Sequence, residues 1–394
     1  MRNRDKTNLS NLLSIATLIT MLVLLVLTSG SCKREVAPSY SIYLSFFRVG
    51  LSQEGVLSYT DSLVLQFYDF TSGQKAVLCN KPNCQHLPYS WETNPDPECN
   101  AVLPYGAPIH GLGMHNGYTF IFSLSSVDKT TLYRQNLDGD GREILAEFDW
   151  HVDSSIVFKD NMAYLVGSQH IVDEYGMGGS YNQKSVVLCV DLQTGKVKEL
   201  TEVKHNNSSR MQNLQVIDGN LLYDYEYYDE GMDFLADNVI ELIDKCRNYF
   251  VYEVDIATGT ERQLLDLSEY KDIYLGVDDK CFYFHSEDRL KVYSVDREDS
   301  TEKVLFEGED KLYCQKSGDY LFMRQGDDIS TVYCYDLLTG KTMKINRTEK
   351  DGLPNIIYDR KWFYTYTNED GSFSFVYMKE EDYLNGKTDY ITIK

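Results

Sequence analysis

The segment LCNKPNCQH at residues 78–86, followed by ECNA at 98–101, holds the densest set of metal-binding side chains in the chain. Cys79, Cys84, His86 and Cys99 supply three thiols and an imidazole in the spacing Cys-x4-Cys-x-His-x12-Cys. Soft thiolates with one imidazole suit a closed tetrahedral zinc site, in which four protein ligands leave no open position and the metal is structural. Lys81-Pro82-Asn83 would turn the chain so that the first two thiols converge. A disulfide, for instance Cys84–Cys99 with the third thiol free, uses the same residues, and the spacing does not choose between the two. Cys189, Cys281, Cys314 and Cys334 sit in apolar, strand-like stretches, where buried free thiols are common.

Other chemistry-bearing patterns have structural readings. TGKT at 339–342 has the ending of a phosphate-binding loop, but Tyr335 stands where the first glycine is required. LDGDG at 137–141 lacks the distal glutamate of a calcium loop and reads as a turn. Neither a Gly-x-Ser-x-Gly elbow nor a His-Glu-x-x-His motif occurs. His110 and His115, in HGLGMHNG, are expected to be hydrogen-bonded structural residues near a central channel.

The elements that must position these groups are repeats. VVLCVDLQTGKVKEL (186–200), FVYEVDIATGTERQLL (250–265) and VYCYDLLTGKTMKI (332–345) state one phrase three times: an alternating strand, an acidic turn, a second alternating strand. Four weaker copies lie at 63–78, 132–145, 290–306 and 373–393. Each is a hairpin. A shorter strand–turn–aromatic strand unit precedes them, as in VIDGNLLYDY (216–225) and KSGDYLFMR (316–324). Four strands per repeat predict an all-β fold, a β-propeller of seven four-stranded blades over residues 41–394. The 31 tyrosines suit half-buried strand faces packed blade on blade.

Three insertions interrupt this rhythm: 79–104, 168–184 and 226–248. The last contains the one predicted helix, DFLADNVIELIDKC (233–246), with Asp233 as N-cap. In an antiparallel meander the loops joining strands two and three leave on the same side as the links between blades. All three insertions are therefore expected on one face, and Tyr175, Tyr181, Tyr227 and Tyr228 mark that face as the place for a peptide, glycan or protein ligand.

At the N-terminus, Arg2, Arg4 and Lys6 precede an apolar run from Leu12 to Leu27, shorter than the ~20 residues of a spanning helix. Ser29, Gly30 and Ser31 then lead to Cys32. Residues 1–31 read as a lipoprotein signal, Cys32 as the lipidated first residue and 32–40 as a tether, placing the protein outside the cytoplasm on a membrane. Without residues 1–31, which carry three basic groups and one acidic group, the formal charge falls from −22 to about −24. That surface repels phosphate backbones, so nucleic acid is excluded as a partner.

With its Cys-x-Lys-Pro-x-Cys-x-His segment followed by Cys-x-Ala, its tyrosine-rich repeats and its lipoprotein signal, the chain resembles extracytoplasmic lipoproteins of clostridial bacteria. These carry a TolB-like/DPP6-like β-propeller, often with a domain of unknown function. The resemblance implies an extracytoplasmic propeller and no particular activity, because fold alone does not assign one. Two functions stay open. One is a non-catalytic binding or scaffold module; the other is a propeller-type enzyme, a lyase or glycoside-acting protein with paired carboxylates around the axis.

Overall fold

The acidic turns set the local structure. Asp69, Asp191, Asp255, Asp296 and Asp336 each turn a side-chain oxygen back to accept N–H bonds from residues two or three further on. In the Thr-Gly copies the glycine N–H then donates to the aspartate carbonyl from a left-handed backbone (Gly195, φ 72°; Gly259, φ 73°; Gly340, φ 69°). Aspartate closes the turn and glycine takes the positive φ without steric cost. Hairpins follow.

The computed structural model describes residues 40–44, 48–103, 108–126, 128–152, 155–170, 183–205, 209–229, 232, 238–268 and 270–393. Cys32, Tyr175, Tyr181, Asp233 and the signal segment lie outside these residues. The first stretch of strands is β1 (Tyr40–Leu44), β2 (Val49–Leu51), β3 (Gly55–Tyr59), β4 (Leu65–Asp69) and β5 (Lys75–Val77). Next come β6 (Ile109–His115), β7 (Tyr118–Ser126), β8 (Lys129–Asn136) and β9 (Glu143–Phe148). They are followed by β10 (His151–Val152), β11 (Ile156–Lys159), β12 (Met162–His170), β13 (Gln183–Asp191) and β14 (Val197–Glu199). Then β15 (Ser209–Ile217) and β16 (Asn220–Tyr228) lead through helix α1 (Val239–Cys246) to β17 (Arg247–Asp255) and β18 (Glu261–Asp266). Three further four-stranded meanders occupy 273–307, 312–346 and 356–392. Helix α1 starts six residues later than expected, and a second short helix, α2 (Glu380–Leu384), interrupts the last meander.

The fold is all-β with a propeller arrangement, but the expected count of seven blades needs correcting: five four-stranded blades stand as separate sheets. The remaining strands join into one ten-stranded sheet, ordered β14-β13-β12-β11-β1-β2-β3-β4-β5 with β10 beside β12. The cause is β1. It pairs antiparallel with β11 on one edge (Tyr40 opposite Lys159, Tyr43 opposite Ile156) and with β2 on the other (Leu44 opposite Val49). An edge strand is an unfilled row of hydrogen-bonding groups, and β1 satisfies two such rows at once.

The strand β6 packs against this junction, and its small residues permit the approach. A Cβ on Gly113 would lie 2.3 Å from the Phe158 ring, and one on Gly50 would lie 2.7 Å from the Leu112 carbonyl oxygen. Successive sheets bury their faces against each other around the chain. One cluster joins the first and last meanders: Val49, Leu51, Val56 and Tyr68 meet Tyr358, Phe363, Phe375 and Tyr377. Tyr68 and Phe70 set their rings 6.0 and 5.3 Å from that of Tyr377, and the Tyr358 hydroxyl donates to the Tyr40 carbonyl at 2.6 Å. N- and C-terminal parts are thereby closed on each other.

Candidate functional site

Antiparallel order defines two ends of the strand array. The turns inside each hairpin lie at one end. The links between meanders and the loops after every second strand lie at the other, the end at which all three insertions leave their strands.

The Cys/His segment leaves β5 and returns to the sheet where Val102 bridges Val64 and the Leu65 N–H donates to the Ala101 carbonyl. Its two sharp reversals fall at Asn83 (φ 59°) and His86 (φ 53°), the first in the turn that Lys81-Pro82-Asn83 was expected to make. The Cys84 N–H donates to the Lys81 carbonyl at 3.3 Å and closes it. Cys79, Cys84, His86 and Cys99 come together: one ligand atom from each lies within 4.8 Å of all the others, and His86 Nδ1 is 3.5 Å from Cys99 Sγ. None of the eight described cysteines is joined in a disulfide. Among the described residues this is the one group of its kind.

The surroundings suit thiolate ligands. Burial alone would raise Cys79, yet the backbone N–H groups of Lys81 and Asn100, with the Cys84 and Cys99 thiols, hold it below the ordinary thiol range. Burial pushes Cys99 up to about 12 against the pull of the Ala101 N–H, with the other two thiols adding to the rise. Three thiols so close cannot all ionise without a cation among them, whereas a divalent metal would favour all three thiolates. Arg142 braces the returning arm, donating to the carbonyls of Val102 at 2.7 Å and Asn100 and to Gln135 at 2.7 Å. Burial lowers its own pKa to about 10. The LDGDG turn is a hairpin turn as expected, and it packs on this segment: Asn80 Nδ2 donates to Asp138 at 2.9 Å, and a Cβ on Gly139 would fall 2.1 Å from the Leu78 carbonyl oxygen. The cluster thus sits against a hairpin turn of the next blade, so the first insertion does not stay on the single face expected for all three.

At the insertion-bearing end, Tyr227 and Tyr228 close β16. The Tyr227 ring stacks on His205 at 3.7 Å and 16°, and Tyr228 donates to Glu226 at 2.5 Å. Burial raises both phenols, with Asp229 contributing at Tyr227 and Glu226 at Tyr228. Both rings are half-buried and engaged with their own sheet.

The same end holds a cavity of about 280 Å³ lined by Tyr43, Arg48, Tyr59, Leu63, Pro108, Ile109, His110 and Val152. The Tyr59 hydroxyl donates to the Ile109 carbonyl at 3.2 Å and accepts hydrogen bonds from Tyr43 and Arg48. His110 Nδ1 lies 2.8 Å from His151 Nε2, and the His151 ring stacks on His170, whose Nδ1 is 2.9 Å from Asp128. The described lining of this cavity contains no carboxylate. His115, at the far end of β6, bonds to the Asp160 carbonyl and to Ser41, the structural role expected of it. Arg48, Tyr59 and His151 carry no sequence signal, because they lie in separate segments that only tertiary closure unites.

No protein-family model matches the chain, and no curated relative does. Solved structures do. Puromycin hydrolase aligns with a TM-score of 0.52 at 10% identity over 92% of this chain, and a Mycobacterium tuberculosis puromycin-hydrolyzing peptidase with 0.52 at 12% identity over 87%. The chain spans about half the length of these enzymes, 54% and 52% respectively. An oligogalacturonate lyase in complex with manganese gives 0.44 at 10% identity, covering 86% of this chain and 90% of that one. At such identities the likeness supports the β-propeller fold and no activity.

Proposed function

We propose that the chain is a cell-surface lipoprotein, anchored through Cys32, whose propeller binds a ligand without transforming it. In this reading Cys79, Cys84, His86 and Cys99 hold a structural zinc that fastens the first insertion to the scaffold. The observation that carries it is the convergence of those four ligand atoms within 4.8 Å. A closed site of four protein ligands stabilises a loop and offers no place for a reacting water. A link of about 30 residues between strands needs such a fastening. In this reading the ligand face is the end that carries the links between meanders, where β16 ends in Tyr227 and Tyr228 and to which sequence order assigns residues 173–182.

Metal analysis with a thiol count tests the zinc. One zinc per chain is expected, with the three thiols reacting only after chelation, and His86→Ala should weaken zinc retention by tenfold or more. Metal-free protein with one free thiol in this segment would mean a disulfide and sink the zinc. For the ligand face, deletion of 173–182 should leave the unfolding temperature nearly unchanged while weakening binding in a ligand screen.

One observation favours an enzyme instead: His110 and His151 meet at 2.8 Å beside Arg48, at the mouth of a cavity. An imidazole next to a cation is the arrangement an elimination reaction on a carboxylate substrate would use, the imidazole taking the proton α to the carboxylate while the β-substituent leaves with the electrons of its bond to carbon. Turnover of acidic oligosaccharides, abolished by His110→Gln, would favour this reading over the first.

A further inference from the structure

The cavity at the insertion-bearing end combines features that together point to one class of ligand. Arg48 is exposed at its border, and among the described residues no carboxylate lies within salt-bridge distance of it. The Tyr59 hydroxyl takes one guanidinium donor, leaving others of the five N–H groups open to the cavity. Arg48 holds a left-handed backbone (φ 56°) at the foot of β2, a conformation that a non-glycine residue adopts at some cost. Apart from His110, the remaining lining is apolar or aromatic: Leu63, Pro108, Ile109, Val152, and the rings of Tyr43 and Tyr59.

We infer that this cavity binds a small organic carboxylate, the anion on Arg48 and the carbon body against Tyr43, Leu63 and Val152. The inference deepens the binding reading above, since it names the ligand class for the same face. A planar guanidinium matches a carboxylate in two parallel hydrogen bonds, which gives direction as well as attraction. The apolar wall argues for an organic anion, because an inorganic one would gain nothing from desolvating it. Size sets the upper limit. The 280 Å³ corresponds to roughly nine waters at ~30 Å³ each, the volume of one sugar ring or one amino-acid residue.

The test uses the mature, metal-loaded protein and two carboxylates, galacturonic acid and N-acetylglycine, against their neutral counterparts galactose and N-acetylglycinamide. Ligand-observed NMR should show both acids or one of them bound and neither neutral compound, the choice between acids telling a sugar source from a peptide terminus. Arg48→Gln should weaken that binding at least tenfold. Arg48→Lys, which keeps the charge and loses the paired hydrogen bonds, should weaken it less. Raising the salt to about 0.5 M should weaken it several-fold, as screening requires at a partly exposed site. Equal binding of acid and neutral forms, binding indifferent to both Arg48 substitutions, or no binding of either acid at 10 mM would overturn the inference. Far-ultraviolet circular dichroism of each variant checks that the fold is retained. Carboxylate binding that survives in Cys99→Ser would show that the pocket stands independently of the zinc fastening, which metal analysis tests by itself.

Discussion

Asp224 lies inside the β15–β18 sheet, 3% exposed, with its Oδ2 accepting from Asn213 at 2.6 Å and from the Tyr249 hydroxyl at 2.8 Å. Burial raises its pKa from 3.8 to about 6, against the pull of those two hydrogen bonds and of Arg247. The sign follows from linkage. A carboxyl whose folded pKa exceeds its unfolded one contributes stability that is complete below the unfolded value and is lost as pH rises through the folded value. The difference between 3.8 and about 6 converts to about 3 kcal/mol at 1.36 kcal/mol per unit, and about 2 kcal/mol of this develops between about pH 4.5 and pH 8. Asp224→Asn removes the titration and keeps an oxygen for Asn213 and Tyr249. Its new amide N–H donors cost as much as an unsatisfied buried group, about 1–3 kcal/mol, but equally at both pH values. The assay is denaturant unfolding of both proteins at the two pH values. The variant is expected to gain about 2 kcal/mol on the wild type between the acidic and the alkaline measurement. Parallel pH curves would refute the reasoning and mean that Asp224 is solvated well enough to stay ionised in the fold.

Three further outcomes follow from particular contacts. Tyr377→Ala, which empties the ring cluster of Tyr68, Phe70 and Phe363 that closes the last meander on the first, should cost about 3–5 kcal/mol and expose the chain ends to limited proteolysis. Gly113→Ala places a methyl 2.3 Å from the buried Phe158 ring and should lower stability by about 1–3 kcal/mol in thermal unfolding. Cys32→Ala should release the protein from the membrane fraction while leaving the fold, read by circular dichroism, unchanged; an unaltered distribution between fractions would count against lipidation.

Much of this protein is written locally. Alternation along 186–200, 250–265 and 332–345, with an aspartate and a Thr-Gly at each reversal, determines the hairpins, because a two-residue period and an Asx turn depend only on near neighbours. The same holds for the Cys/His set, whose four ligands lie within 21 residues and whose turn is made by Lys81-Pro82-Asn83. What local sequence does not carry is which edge meets which. Nothing in YSIYL at 40–44 says that it pairs with strands on both sides, one of them more than 110 residues away, and so fuses two meanders into a ten-stranded sheet. That choice belongs to whichever edges the closed array leaves unpaired. The cavity is tertiary for the same reason. Arg48, Tyr59, His110 and His151 come from four segments, each unremarkable in sequence, and meet because strand order brings every link between meanders to one end. Asp224 reads as one more acid among sixty; only the packing of β16 between its neighbours removes its water and shifts its titration.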